Sequence, residues 1–480
     1  MNKNLITSNF IWRFLERTGA QLVALIVSIV LARLLAPETY GIIALVTVFT
    51  NILNVFIDSG MGSALIQKKD ADDLDFSSVF YFNVLMCLAL YGLCFISAPF
   101  IASFYGNQDL TAIIRVLSLT LIISGVKNIQ QAYVSRNMLF KRFFFATLGG
   151  TIVAAIIGIT MAYLNCGVWA LVAQQLINAT IDTIILWITV KWRPRKEFSF
   201  SRLKSLLSYG WKLLISALLD TGYNELRQLI IGKIYTSQDL AYYNQGDKFP
   251  KVIVSNINSS IDSVLLPSMS QEQDNRDHVK SMTRRAIMVS TFIMAPMMIG
   301  LMFMASNVVK LLLTEKWLEC VPYLQIFCFT YMFYPIHTAN LNAIKAMGRS
   351  DLFLKLEVIK KVMGVATLLC TMMYGPFAIA LGMIFTSIMS QIINSWPNKK
   401  LLNYSYLEQL KDIMPALLIS FMMGCCVYLV GLIKINCFLL IVIQIVVGVT
   451  VYFLLANLFK LEAYNYCISI VKNYRKSKAK

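Results

Sequence analysis

The chain has 480 residues, of which 58% are hydrophobic and only 14% are charged. Soluble globular proteins have about a quarter of their residues charged, so this composition excludes an ordinary soluble enzyme. Lys and Arg number 43 against 25 Asp and Glu, a formal net charge of +18. In a chain this apolar, the basic excess indicates a membrane protein rather than one that binds nucleic acid.

Long uncharged stretches predict membrane-spanning helices along the whole chain. Between Arg142 and Asp182 lie 39 uncharged residues, and between Lys361 and Lys399 lie 37. Because one span needs about 20 apolar residues, each stretch predicts two helices joined by a turn. The other predicted spans, in chain order, are 9–36, 41–67, 76–108, 110–133, 209–232, 248–270, 286–309, 320–344, 413–433 and 435–459. The sequence therefore predicts an all-α integral membrane protein with about fourteen transmembrane helices.

The basic residues are distributed unequally between the two sides of these predicted spans. Thirty Lys and Arg lie on the side that holds both termini, five lie on the opposite side, and eight lie within spans. The positive-inside rule therefore predicts that both termini are cytoplasmic. Arg13, Glu16 and Arg17 in the first span do not fit a cleavable signal peptide.

A weak internal repeat relates the two halves of the chain. Residues 37–42 resemble 237–242, and 62–67 resemble 262–267, both at an offset of 200. This offset predicts an N-lobe at 1–195 and a C-lobe at 205–397, each with six helices. Two further helices and a basic cytoplasmic tail then occupy 398–480. Parallel repeats of this kind imply a pseudo-twofold axis along the membrane normal, a cavity between the lobes and alternating access.

Polar residues follow one face of four predicted spans. The second and eighth spans carry them at the same helical spacing: Thr47, Asn51, Asn54 and Asp58; Lys251, Ser255, Asn258 and Asp262. The seventh and first spans add Asp220, Asn224 and Arg227, with Glu225 off their face, and Arg13, Arg17 and Gln21. A polar face inside a membrane turns towards protein or water, so these spans are predicted to line the cavity.

Each intramembrane charge has two interpretations. A charged side chain within a span costs roughly 2.5–3.5 kcal/mol, which makes a deep one a functional candidate by default. Alternatively, Arg13, Arg17, Lys212 and Lys251 can extend their charged ends to the interface, since they lie near helix ends. An Asp220–Arg227 pair can likewise act only as a clamp between helices.

The chain resembles the multidrug/oligosaccharidyl-lipid/polysaccharide flippase superfamily. The residues that carry this resemblance are Trp12, the segment 34–41 (LLAPETYG) and the segment 58–67 (DSGMGSALIQ). Within the superfamily it is most similar to the polysaccharide transporter branch, the bacterial exporters of O-antigen, colanic acid, teichuronic acid and capsule. The resemblance covers nearly the whole chain, although its motifs do not identify a glycan.

The resemblance implies translocation of an undecaprenyl-pyrophosphate-linked oligosaccharide across the bacterial cytoplasmic (inner) membrane, coupled to a cation gradient. A pyrophosphate requires charge-assisted hydrogen bonds, for which the candidates are Arg13, Arg17, Lys212, Arg227 and Lys251. The candidates for sugar hydroxyls or a coupling ion are Asn51, Asn54, Asp58, Asp220, Asn224, Asn258 and Asp262.

The expected partners are the lipid-linked glycan, membrane lipids, and the glycan polymerase and glycosyltransferases of the same pathway. We expect a protein that is not an enzyme, because its loops are too short for a nucleotide-binding or glycosyltransferase domain. The sequence has no phosphate loop for ATP hydrolysis, and no cofactor, metal site or catalytic residue is predicted. Nothing in the sequence requires more than a monomer. Two alternatives stay open. A cation-coupled multidrug antiporter of the same superfamily would have twelve spans and a more acidic cavity. A membrane glycan polymerase or ligase would have a large outside loop.

Overall fold

The computed structural model describes the backbone of residues 3–58, 61–68 and 70–469. Side chains 3–18 and those at positions 58, 63, 67, 209 and 212 also lie outside its description. Four candidate site residues fall in this group and are therefore outside the described residues: Arg13, Arg17, Asp58 and Lys212.

The described ranges contain helices and no strands. The helices are α1 (Lys3–Leu34), α2 (Pro37–Asp58), α3 (Met61–Gln67), α4 (Asp73–Tyr105), α5 (Asp109–Leu117), α6 (Leu119–Arg136), α7 (Phe140–Tyr163), α8 (Val168–Thr189), α9 (Phe200–Ile234), α10 (Ser237–Gln271), α11 (Arg276–Leu313), α12 (Val321–Met332), α13 (Tyr334–Ala346), α14 (Ser350–Thr371), α15 (Pro376–Leu401), α16 (Tyr406–Gly431) and α17 (Cys437–Leu458). A 3₁₀ helix, Glu315–Cys320, precedes α12.

Nine helical segments among the described residues are long and apolar enough to cross a membrane. The other predicted spans correspond to α1, α9, α10, α12–α13 and α14, helices that carry more charged residues or are interrupted. The prediction of an all-helical, multi-pass membrane protein is confirmed.

Several helices begin well before the spans predicted for them, as α9 and α10 show. The seventh span is predicted to start at 209, whereas α9 begins at Phe200. The eighth is predicted to start at 248, whereas α10 begins at Ser237. The Ser199 side chain caps α9 by accepting a hydrogen bond from the backbone N–H of Arg202. Apolar runs mark only the part of a helix within lipid, so they miss these polar turns.

The fourth and tenth spans are both interrupted near their middle. Ser118 separates α5 from α6, and Phe333 separates α12 from α13. At the first break the Thr120 hydroxyl donates to the Leu117 carbonyl at 2.6 Å, competing with the helical ladder. At the second, Pro335 has no N–H to donate and sits in the first turn of α13. The two halves of the chain thus repeat this interruption at the same place in the helix order.

The third span begins with a capping box. The Asp72 carboxylate accepts from the Asp75 backbone N–H at 3.0 Å, while Asp75 accepts from the Asp72 N–H at 3.2 Å. The hydrogen bond from the Asp75 backbone N–H, and to a lesser extent the Arg202 guanidinium, lowers the pKa of the Asp72 carboxyl, which lies outside the span. The acidic segment 70–75 therefore has a structural explanation as the start of α4.

The chain divides into two compact units between Ala241 and Tyr242. In the first unit α7 and α8 pack closely, because a Cβ at Gly150 would lie 2.9 Å from the Asn178 side-chain oxygen. In the second unit α11 packs along α16, where a Cβ at Gly424 would lie 2.6 Å from the Phe303 ring. The partition at 1–195, 205–397 and 398–480 stays a prediction.

Candidate substrate-binding site

In the first unit, the polar faces of α2 and α9 are joined through a carboxylate. The Asn51 side-chain amide donates to Glu225 Oε1 at 3.0 Å, and Gln228 donates to Glu225 Oε2 at 2.6 Å. The sequence spacing places Glu225 off the polar face of its helix, yet it is the residue that contacts α2. Its position follows from helix packing, which the spacing within one helix does not report.

Less than one turn further along α2, Asn54 has an unsatisfied oxygen. Asn54 Oδ1 is buried and has no hydrogen-bond partner among the described residues. A buried acceptor without a partner costs about 1–3 kcal/mol. This carboxamide is therefore available to a hydroxyl group or an ordered water.

The candidate residues of α9 lie close together at its surface. Asn224 donates to Asp220 Oδ2 at 3.4 Å, and both side chains are exposed. The Arg227 guanidinium lies 5.4 Å from the centre of the Tyr223 ring, with Nη2 3.5 Å from the Tyr223 hydroxyl. The aromatic ring is one of the groups that orient this cation.

In the second unit, Lys251 lies beside a carboxylate that the sequence analysis missed. Lys251 Nζ is 3.3 Å from Asp247 Oδ2, one turn earlier on α10. The Tyr331 hydroxyl of α12 donates to Asp247 Oδ1. Lys251 itself remains largely exposed, at 66% of its side chain. The i, i+4 spacing of Asp247 and Lys251 was the signal that could have found this pair.

Asn258 and Asp262 of α10 line an open cavity of about 290 Å³. Ser259 belongs to the same helix, and α13 contributes the remaining lining residues: Thr338, Leu341, Asn342 and Lys345. Asn258 Oδ1 and Asn342 Nδ2 are both buried without a hydrogen-bond partner among the described residues. Two residues that line the cavity therefore each hold one buried, unsatisfied amide atom, an acceptor on Asn258 and a donor on Asn342.

Two unsatisfied carboxamide oxygens occur on the polar faces of α2 and α10. Asn54 and Asn258 are separated by 204 residues, the same separation as Asp58 and Asp262. Both oxygens lack a partner among the described residues. The two polar faces therefore carry an unsatisfied carboxamide oxygen at the same place in their spacing.

Other intramembrane cations have partners that explain them structurally. Lys127 on α6 donates to Asp182 Oδ2 on α8 at 3.1 Å. Lys360 lies 2.5 Å from Glu357 within α14. Arg115 lies over the Phe95 ring at 4.1 Å and donates to the Phe95 carbonyl at 3.2 Å. These contacts fit clamps between or within helices.

His337 belongs to a buried cluster of uncharged polar side chains. Its Nδ1 lies 3.3 Å from Asn394 Nδ2, between α13 and α15. The cluster continues through hydrogen bonds among Asn340, Ser395, Asn398 and Gln409. Across the described part of the chain, no three His, Cys, Asp or Glu side chains gather as a metal site. The arrangement fits a packing role for His337.

The family profile described as "Polysaccharide biosynthesis protein" matches residues 30–322 of this sequence. The chain belongs to that family. The matched region contains most of the polar faces described above, including Asn51, Glu225, Lys251 and Asp262. It ends before α13, so Asn342 and Lys345 lie beyond it.

Curated relatives of this polysaccharide biosynthesis protein carry names that refer to the biosynthesis of succinoglycan and lipopolysaccharide. The succinoglycan biosynthesis transport protein ExoT of Rhizobium meliloti is 24% identical over 324 residues, 68% of this chain and 66% of ExoT. The lipopolysaccharide biosynthesis protein WzxC of Escherichia coli is 23% identical over 411 residues, 82% of each chain. The chain thus spans about two thirds of the length of ExoT.

Among solved structures, the family member is similar in fold to the lipid II flippase MurJ in an inward closed conformation. The TM-score is 0.77 at 17% identity, and the likeness covers 94% of this chain and 98% of MurJ. At this identity the similarity establishes the fold alone. The fold of MurJ agrees with the all-helical membrane fold predicted from the sequence.

Proposed function

We propose that this protein is a flippase that moves a lipid-linked oligosaccharide, or a polysaccharide precursor, across the bacterial cytoplasmic membrane by alternating access. The lipid carrier we propose is undecaprenyl pyrophosphate. The observation that carries the proposal is the family match over 30–322, a range that contains the polar faces of α2, α9 and α10. A polar cargo would give these side chains a function within membrane spans.

The side chains suit the two ends of such a cargo. Arg227 and the exposed Lys251 offer charge-assisted hydrogen bonds to phosphate oxygens. The carboxamides of Asn54 and Asn258 offer acceptors to sugar hydroxyls. Arg13, Arg17 and Lys212 complete the proposed basic set from outside the described residues. The prenyl chain requires only lipid or an apolar protein surface.

The setting follows from the distribution of basic residues. We propose that both termini lie in the cytoplasm and that the substrate is loaded there, where glycosyltransferases build it. The polymerase that uses the translocated unit would act on the opposite side. A monomer suffices for this function, and no catalytic residue or cofactor is invoked.

The test uses the bacterium that makes the glycan. Replacing Arg13, Arg17, Lys212, Arg227 and Lys251 with Gln, singly and together, should make lipid-linked glycan accumulate on the cytoplasmic side. Surface glycan should fall in parallel. The measurements are lipid extraction with mass spectrometry, and immunoblotting for surface glycan and for protein level.

The matched control replaces Lys399 and Lys400, basic residues in the last turn of α15, with Gln. These changes remove positive charge outside the polar faces and should leave export unchanged. Normal export by the fivefold variant, at normal protein level, contradicts the proposed function.

A further inference from the structure

We propose that the cavity between α10 and α13 is a subsite for one sugar residue that carries, or adjoins, an anionic group. This inference rests on the proposed function and names the part of the substrate that the second unit would hold. It goes beyond the polar stripe of α10 because half of the cavity comes from α13. None of the site residues predicted from the sequence lies on that helix.

Two residues that line the cavity have unsatisfied amide groups. Asn342 is 1% exposed, and its Nδ2 has no acceptor among the described residues. Asn258 Oδ1, across the cavity, has no donor in the same part of the structure. A sugar hydroxyl both donates and accepts, so adjacent hydroxyls of one ring satisfy both groups. An apolar ligand would leave both unsatisfied.

A positive charge, that of Lys345, lies at the edge of the cavity. Lys345 lies in the last turn of α13 with its Nζ 4.5 Å from the centre of the Phe353 ring. No carboxylate among the described residues forms an ion pair with it. It is therefore placed to meet an anionic group, either a uronic acid carboxylate or a phosphate on the sugar. Asp262, exposed on the opposite wall, suits a hydroxyl donor.

The size and position of the cavity suit a single sugar ring. A cavity of about 290 Å³ lies at the small end of ligand sites, which begin near 300 Å³, so it fits one ring rather than an oligosaccharide. Under the predicted topology, the end of α13 at Lys345 faces the cytoplasm. The subsite then lies where the cargo is loaded.

The first experiment measures occupancy directly on the purified full-length chain. Ser259 lines the cavity, and a Ser259→Cys variant can be labelled with maleimide and read by peptide mass spectrometry. We expect glucuronate or glucose 1-phosphate, at millimolar concentrations, to slow labelling several-fold. Glucose should protect less, and inorganic phosphate alone least. Protection by only one of the anionic sugars identifies carboxylate or phosphate as the group that meets Lys345.

The matched control is Ser270→Cys, an exposed serine on the same helix that does not line the cavity. Its labelling should be indifferent to every probe. If no sugar slows the labelling of the Ser259→Cys variant, the subsite does not exist. The same conclusion follows if sugars slow the labelling of the Ser259→Cys and Ser270→Cys variants equally.

The second experiment adds substitutions in the cavity to the Ser259→Cys background. Asn258→Ala and Asn342→Leu should each weaken protection about tenfold, because a buried amide loses its ligand partner. Asn256→Ala, an exposed amide on the same helix whose Nδ2 donates to the Val252 carbonyl, should change nothing. Lys345→Gln should remove the advantage of anionic sugars over glucose. Unchanged protection in both Asn258 and Asn342 variants overturns the assignment.

These outcomes are separable from a failure of the proposed function. If the basic set proves necessary for export while the cavity shows no protection, the subsite is wrong and the flippase stands. If the cavity binds sugars while export does not depend on the basic set, the proposed transport route is wrong and the sugar site stands.

Discussion

Arg284 on α11 and Asp412 on α16 form an ion pair in which Nε lies 3.0 Å from both carboxylate oxygens. Arg284 also contacts both oxygens of Glu462, at 2.9 and 2.7 Å. The Tyr404 hydroxyl donates to Asp412 at 2.6 Å. Within the second unit, α11 is thereby tied to α16 and to Glu462, which follows α17.

The first unit has the same relationship with the charges reversed. Asp75 at the start of α4 accepts from Lys68 at 2.7 and 2.8 Å and lies 3.6 Å from Arg202 on α9. In both units, therefore, an ion pair ties the first turns of an apolar span to another helix, and the acid lies on the span in one unit and on the other helix in the other.

We expect Arg284→Gln to lower the stability of the protein by about 2 kcal/mol, because it removes charge-assisted hydrogen bonds to two carboxylates. The measurement is the thermal unfolding midpoint of purified protein in one detergent. Arg276→Gln, an exposed arginine on the same helix, should have little effect. The triple variant Arg284→Asp, Asp412→Arg and Glu462→Gln should recover part of the loss, since Glu462 would otherwise repel the new carboxylate. No recovery would mean that packing around Arg284, rather than the charge pair, provides the stability.

In the first unit, two neighbouring aspartates should differ in their contribution. The Asp75 side chain is 0% exposed, so Asp75→Ala leaves Lys68 without its partner and should cost about 3 kcal/mol. Asp73 also pairs, with Arg195 at 2.6 Å, but both side chains are largely exposed. Asp73→Ala should therefore cost less than about 1 kcal/mol. Equal shifts in the unfolding midpoint would show that burial does not distinguish the pairs.

The start of α2 requires glycine at position 41. A Cβ there would lie 1.7 Å from the backbone oxygen of Ser237, and backbone atoms cannot rotate away. Gly41→Ala should cost roughly 1–3 kcal/mol by overpacking, seen as a lower unfolding midpoint. Gly92→Ala on α4 meets nothing within 4 Å and should be neutral or stabilising by up to about 1 kcal/mol. A neutral Gly41→Ala would show that the two helix starts can separate.

The sequence predicts the helical membrane fold well because lipid imposes a composition on each span. It also places Asn51, Asn54, Asn258 and Asp262 on polar faces, since their spacing follows the helical period. These are properties of a single helix. Each can be read without knowing which helices are neighbours.

Contacts between helices were not predictable in the same way. Glu225 lies off the polar face of α9 by spacing but bonds to Asn51 across the α2–α9 contact. On α13, Thr338, Asn342 and Lys345 follow the helical spacing i, i+4 and i+7, a pattern that could have marked this face from the sequence. Asn340 lies off that face and is satisfied inside a buried network. That the face with Asn342 lines a cavity depends on the packing of α10 against α13.

Glu225 provides a test of whether the α2–α9 contact depends on charge or on hydrogen bonding. Gln at this position keeps an oxygen that can accept from Asn51, whereas Ala removes the acceptor for both Asn51 and Gln228. We expect Glu225→Gln to retain most export and Glu225→Ala to lose it several-fold at equal protein level. Export is measured as surface glycan against accumulated lipid-linked precursor. If both variants lose export equally, the carboxylate charge itself is required.

Substitutions at Lys251 test whether this cation of α10 binds substrate or only extends its charged end to the membrane interface. If Lys251 binds an anionic headgroup, Lys251→Gln should lower export several-fold and Lys251→Arg should preserve it, because the charge is what the substrate contacts. The control is Asp247→Asn, which removes the carboxylate beside Lys251 but keeps an acceptor for Tyr331. We expect this variant to export at least as well as the wild type, since Lys251 then has no competing anion. If Asp247→Asn is as defective as Lys251→Gln, the pair acts as a structural unit and Lys251 does not bind substrate.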